Sequence, residues 1–157
     1  MSTSPSASSS ESPLVRALQS ALDAEHAAVY GYGVVGAKST GAQQTSARTG
    51  YDAHRARRDA LAQQVEKQGA VPHAAAAAYA LPFPVNTPAD AGRLAVYLEE
   101  GVAAHLVDLV GAASGDTRVT AAKWLQDAAV AGAAWRGSSV PFPGLPDTPA
   151  SPSGRAS

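Results

Sequence analysis

The sequence contains no cysteine, only one methionine and two phenylalanines, and a charged fraction of just 16%. The absence of cysteine excludes disulfide bonds and thiolate chemistry, although it leaves the cellular compartment open. The net charge of −1 means that the chain has no excess of positive charge with which to bind nucleic acid or an anionic membrane surface. No apolar run reaches the roughly 20 residues of a membrane-spanning helix, and the serine-rich first residues lack the apolar stretch of a signal peptide. These absences favour a cytoplasmic protein that binds neither nucleic acid nor membrane.

Helical periodicity begins after the first dozen residues. Ser12 followed by Pro13 is a helix start, with a side-chain acceptor at the N-cap and proline at the first helical position. The apolar stripe that follows predicts a first helix to about Ala37. Residues 39–41 break this pattern, and a second helix is expected to end at Gln68, before Gly69.

The second half of the chain repeats this arrangement after a different kind of segment. Residues 70–86 contain three prolines and predict a long link, with one or two helical turns between His73 and Ala80. Thr87, Pro88 and Asp90 have the pattern of a capping box and predict the start of a third helix. A short turn at residues 114–116 leads to a fourth helix, expected from Thr117 to about Arg136.

The connections between the helices are therefore short, long and short. Short turns make neighbours antiparallel, and one long crossover between helices 2 and 3 is typical of the ferritin-like four-helix bundle. We expect an all-α fold of this class over residues 12–146. Disordered tails are expected at residues 1–11 and 147–157, and residues 140–146 are expected to pack against the bundle.

Several ionisable side chains fall on faces that should be buried. Glu25 lies in the register of the first apolar stripe, with His26 beside it, and Glu99 lies within the apolar arc of the third helix. His54 is near the middle of the inward face of the second helix. Burying such groups costs several kcal/mol unless they are paired or ligated. Because Glu25, His54 and Glu99 are all near the midpoints of their helices, we expect them to share one layer.

Five phrases of the sequence resemble a particular family: EHAAVYGYGVVGA, HRARRDAL, YALPFPV, LEEGVAAH and PFPGLP. Together they resemble a ferritin-like family of unknown function that is common in high-GC Gram-positive bacteria. The resemblance extends from Pro13 to about Pro146. It implies the ferritin-like fold, but it brings no assigned activity.

A ferritin-type di-iron site takes a Glu from each of two helices and a Glu-x-x-His from each of the other two. The resemblance equates Glu25 and Glu99 with the single glutamates, and His54 with one of the histidines. Tyr51 stands where the motif has a glutamate. The fourth helix offers only alanine and glycine at this height, since its one acid there, Asp127, is predicted to face away. Half of the di-metal ligand set is therefore missing.

One hypothesis is a metal-free centre in a non-catalytic scaffold or interaction protein. The glutamates would pair with an arginine of the second helix, and histidines would complete a buried polar network without a cofactor. The predicted members are Glu25, His26, His54, Arg57, Arg58 and Glu99. The partner would be an unidentified protein or a second copy of the chain in a homodimer.

The alternative hypothesis is a metal-binding oxidoreductase. Glu25, His54 and Glu99 would hold one iron or manganese ion, with His26 or Tyr51 as a further ligand. The activity would then follow only by analogy with the fold. The missing ligands on the fourth helix favour the metal-free hypothesis.

Overall fold

A computed structural model describes residues 11–137, and within that range every regular element is a helix. The helices are α1 (Pro13–Lys38), α2 (Gly41–Lys67), α3 (Pro88–Ala112) and α4 (Gly115–Arg136). This order confirms the prediction of an all-α, four-helix fold. α4 begins at Gly115 rather than at the predicted Thr117. The expected packing of residues 140–146 lies outside the described residues, as does almost all of the two expected tails.

The predicted helix starts are present at α1 and α3. The Ser12 hydroxyl accepts a hydrogen bond from the backbone N–H of Val15 at 3.2 Å. At α3 the Thr87 hydroxyl accepts from the Asp90 N–H at 3.1 Å, and the Asp90 carboxylate accepts from the Thr87 N–H at 3.1 Å. Hydrogen bonds from Thr87 and from the backbone of Asn86 lower the pKa of Asp90. The capping box read from the sequence is therefore confirmed.

The core consists of two apolar clusters with polar residues between them. α1 packs against α2 and α3, and α3 also packs against α4. The first cluster includes Leu61 of α2 and Val102 of α3, and the second includes Ala47 of α2 and Leu98 of α3. His54 lies between the two clusters on α2, and Glu99 lies between them on α3. No helix within residues 11–137 combines the length and the hydropathy needed to cross a bilayer.

α4 contributes little bulk to the core. Its buried residues are Ala121, Ala128 and Gly132. Gly132 lies against α3, because a Cβ built there would be 3.4 Å from the Cβ of Glu99. The small side chains bring α4 close to α3.

The link between α2 and α3 contains no helix at residues 73–80, so the predicted helical turns are wrong. Backbone groups of this segment bond to α1 instead of to a following turn. The side chain of Gln19 donates to the Val71 carbonyl at 2.7 Å and accepts from the His73 N–H at 2.9 Å.

Further along the link, the contacts with α1 continue. His73 Nδ1 lies 2.9 Å from the Asp23 carboxylate. The ring of Tyr79 lies 5.6 Å from that of Tyr30, and Val85 is buried in the second apolar cluster. The segment therefore contacts α1 at successive heights.

Candidate functional site

Three of the predicted site residues meet between the helices. Glu25 on α1, His54 on α2 and Glu99 on α3 are at most 2% exposed. The Nδ1 atom of His54 lies 2.6 Å from Oε2 of Glu25, and its Nε2 atom lies 3.1 Å from Oε1 of Glu99. One imidazole therefore connects two carboxylates that come from different helices.

The partners of His54 determine its protonation state. A carboxylate can only accept a hydrogen bond, so both ring nitrogens must donate, and a ring with two N–H groups is an imidazolium. Burial alone lowers the pKa of His54, but hydrogen bonds to Glu25 and Glu99, with the charges of these groups, raise it overall. We therefore assign His54 as positively charged.

Arg57 is the arginine that enters this layer, with its side chain only 8% exposed. Its Nε atom lies 2.9 Å from Oε1 of Glu25, although the N–H is not aligned for a hydrogen bond. One terminal nitrogen donates to the carbonyl of Trp124 at 3.4 Å. Arg57 and His54 thus balance the charges of Glu25 and Glu99.

The second terminal nitrogen of Arg57 lies 2.9 Å from Nδ1 of His54. A guanidinium has no acceptor, so this contact is a hydrogen bond only when Nδ1 carries no proton. The Glu25 oxygen is closer to Nδ1, at 2.6 Å, and is negatively charged. We therefore assign the Nδ1 proton to the bond with Glu25, since charge-assisted hydrogen bonds are the stronger ones.

Tyr32 is a fifth buried member of the network, and it is not among the members predicted from the sequence. Its hydroxyl donates to Oε1 of Glu99 at 2.6 Å, and its ring lies 4.7 Å from that of His54. Burial and then the charge of Glu99 raise the pKa of Tyr32, so the phenol stays neutral and remains a donor. The signal in the sequence is its position two helical turns after Glu25 on the same apolar stripe, from which a tyrosine hydroxyl can reach the polar layer.

Two predicted network members lie elsewhere, so their assignment to the buried layer is wrong. His26 is half-buried, and its Nε2 atom lies 3.0 Å from the carbonyl oxygen of His73 in the link. Arg58 bonds to its neighbour Asp59 at the surface. For His26 the physical reason is the step of about 100° per residue, which turns it away from the face of Glu25. For Arg58 the helical angle does not decide; Arg57 is the arginine that finds partners on other helices, at Glu25 and at the carbonyl of Trp124.

Tyr51, the other residue considered as a ligand, is also outside this layer. It packs half-buried against the second apolar cluster. The guanidinium of Arg55 lies 5.6 Å from the centre of its ring.

The donor geometry does not fit a metal ion. Across residues 11–137 no three His, Cys, Asp or Glu side chains are arranged to hold one. The two nitrogens of His54 point away from each other, and each already bonds a different carboxylate. The Arg57 guanidinium lies beside Glu25, where it disfavours a second cation.

Fold and site together describe an all-α, four-helix protein with a buried ionic layer. The model of a family described as a domain of unknown function, DUF4439, matches residues 17–147, and the chain belongs to this family.

A similar solved structure is that of a conserved hypothetical protein, Rv2844, from Mycobacterium tuberculosis. It shares 36% sequence identity, with a TM-score of 0.77, and the match covers 80% of this chain and 89% of that one. No curated protein matches the chain. These relatives bring no assigned activity.

Proposed function

We propose that this chain is a non-catalytic, ferritin-like four-helix bundle whose centre binds no metal. The observation that carries this proposal is the position of His54, with each ring nitrogen bonded to a different carboxylate, from Glu25 and from Glu99. In a ferritin-type centre the same residue types would converge on metal ions. Here the positive charges of His54 and Arg57 take the place of the metal charge.

The path of the link supports the ferritin-like assignment. It contacts α1 at Gln19, at Asp23 and at Tyr30 in turn, so it follows the long axis of that helix. Such a path joins α2 to the distant end of α3, as the long crossover of a ferritin-like bundle does. The packing of α1 on both α2 and α3 agrees with this topology.

The role proposed for the network is to specify how the helices pack. A buried ionic layer is weak evidence for stability, but it penalises any arrangement that separates its charges. A shift of α2 by one turn would remove His54 from both carboxylates. The protein would then act as a scaffold through its surface, with an unidentified protein or a second copy of the chain as its partner.

Elemental analysis tests the proposal. The protein, purified without chelator and then incubated with Fe²⁺ or Mn²⁺ and desalted, should retain far less than about one metal per chain. Glu100→Ala, next to Glu99 but on the exposed side of α3, is the control for ions held at the surface. About one metal per chain that is lost in Glu25→Ala and retained in Glu100→Ala would contradict this proposal and favour a metal-binding centre.

A further inference from the structure

A groove of about 640 Å³ lies beside the C-terminal end of α4. The N-terminal half of α3 forms one wall, and the link and the last residues of α4 complete it. Its apolar surface includes the rings of Phe83, Tyr97 and Trp135. Tyr97 is 53% exposed, and the other two rings are half-buried. Within residues 11–137 the groove therefore presents open aromatic surface, and tyrosine and tryptophan are enriched where proteins bind another segment.

The chain leaves the described structure next to this groove. Trp135 and Arg136 line the groove, and α4 stops at Gly137, whose φ of 81° is left-handed. A proline-rich segment, Val-Pro-Phe-Pro-Gly-Leu-Pro at residues 140–146, follows in the sequence. An extended chain spans about 3.3–3.6 Å per residue, so Phe142 can lie up to about 17 Å from Gly137. This reach is sufficient for a groove whose wall includes Trp135.

The link provides an example of how such a sequence packs on this bundle. Residues 82–84 are Pro-Phe-Pro, and the same three residues recur at 141–143. In the link this sequence is not helical, and Phe83 packs against the second apolar cluster. A phenylalanine between two prolines can therefore attach a non-helical segment to the side of these helices.

We propose that residues 140–146 occupy this groove in a polyproline II conformation, with the ring of Phe142 against those of Tyr97 and Trp135. Proline-rich segments bind aromatic-lined grooves in this conformation. The prolines favour it before binding, so little conformational entropy is lost when the segment docks. Docking removes the ring of Phe142 and the exposed part of Tyr97 from water, which is favourable.

The charges of the groove agree with a neutral occupant. Glu100 and Arg136 line the groove and form an ion pair with each other. Arg93, the remaining arginine of the lining, lies 3.4 Å from the Asp90 carboxylate and packs over the ring of Phe83. Residues 138–146 contain no charged side chain. The segment therefore brings no charge that would need a further partner in the groove.

Two observations favour the chain's own segment over one from another molecule. The family match extends to residue 147, so the segment is part of the domain. A short connection after Gly137 gives the segment an effective concentration in the millimolar range, which favours docking within one chain. This contact goes beyond the proposed scaffold role, because it identifies a face of the bundle that the chain itself covers.

The chain contains only two phenylalanines, Phe83 and Phe142, which makes the docking measurable. The full chain labelled with 4-fluorophenylalanine should give two fluorine-19 magnetic resonance signals, and Phe142→Leu identifies the second. The Phe142 signal should be displaced from that of a labelled peptide with the sequence of residues 138–146, at every protein concentration. A signal at the position of the peptide would show that the segment is free. A displacement that appears only at high concentration would place the segment on a second copy, and either result overturns the proposal.

Two tyrosine variants locate the contact. Tyr97→Ser removes a ring of the groove, and it should move the Phe142 signal most of the way to the position of the free peptide. Tyr30→Ser removes another exposed ring, on α1 and outside the groove, and it should leave the Phe142 signal displaced as in the wild type. A Phe142 signal that Tyr97→Ser does not change, or that both variants change equally, would overturn the assignment of the segment to this groove.

Discussion

His54 lies between Glu25 and Glu99, with a carboxylate oxygen 2.6 Å from one ring nitrogen and another 3.1 Å from the other. A single side chain of α2 thereby connects α1 to α3 in the interior. Two carboxylates in this position need two positive charges, which His54 and Arg57 supply.

Arg57→Met should lower the free energy of unfolding by about 3–5 kcal/mol, because Glu25 would lose a buried cation. Arg58→Met should change it by less than about 0.5 kcal/mol, since Arg58 pairs with Asp59 at the surface. Urea denaturation of both variants makes the comparison. Equal losses in the two variants would show that the inward face of α2 has been assigned incorrectly.

Gly50→Ala should destabilise the protein, although alanine is the better helix former. A Cβ at Gly50 would overlap the ring of Tyr32, which donates to Glu99. Gly33→Ala is the matched control, because a Cβ there meets no atom within 4 Å. It should raise the free energy of unfolding by up to about 1 kcal/mol. Stabilisation by both substitutions, measured by thermal denaturation, would contradict the tight packing of Tyr32.

Thr87→Ala should cost about 1 kcal/mol of stability, because it removes the acceptor for the Asp90 N–H at the start of α3. Thr40→Ala makes the corresponding change at α2, where the N-cap side chain forms no capping hydrogen bond. The second variant should therefore remain close to the wild type in urea denaturation. A larger loss from Thr40→Ala than from Thr87→Ala would be inconsistent with the capping box.

The stability of the protein should depend on the titration of His54. Its folded pKa is raised above the ordinary value of 6.5 by Glu25 on α1 and Glu99 on α3, against the effect of burial. Arg57 on its own helix and Tyr32 on α1 also face the ring. A raised folded pKa means that this contribution is fully present below pH 6.5 and is lost as the pH rises through the folded pKa.

Denaturation from about pH 5 to about pH 9 should therefore show stability falling on the alkaline side. The decline should disappear in His54→Gln and persist in His105→Gln, a substitution on α3 outside the ionic layer. A decline of the same size in all three proteins would assign the titration to another group.

Much of the fold follows from local signals in the sequence. Two helix starts depend only on residues within one helical turn, so they can be predicted without the tertiary structure. They are the capping box at Thr87 and Asp90 and the Ser12–Pro13 start of α1. The link at residues 73–80 could not be read in this way. Its alanines favour a helix locally, whereas the side chain of Gln19, distant in sequence, binds the backbone groups of Val71 and His73 where the segment begins.

The sequence predicts which acidic and histidine side chains share the buried layer, but it does not predict which arginine joins them. Periodicity placed Glu25, His54 and Glu99 on inward faces and at one height, and the structure brings them together. Arg57 and Arg58 lie on either side of His54 on the α2 surface, so the helical angle alone does not separate them. Arg57 enters the layer because its partners, the Glu25 carboxylate and the carbonyl of Trp124, lie on other helices, where the pattern of α2 cannot reveal them.

The central claim is that a charged His54 bridges Glu25 and Glu99 without a metal. Nitrogen-15 resonance of the imidazole at about pH 7 measures this directly, since a ring nitrogen with a proton and one without differ strongly in chemical shift. The account predicts that both ring nitrogens of His54 carry a proton. An unprotonated ring nitrogen on His54 would contradict this prediction. A metal-bound imidazole would have one, and so would a neutral ring.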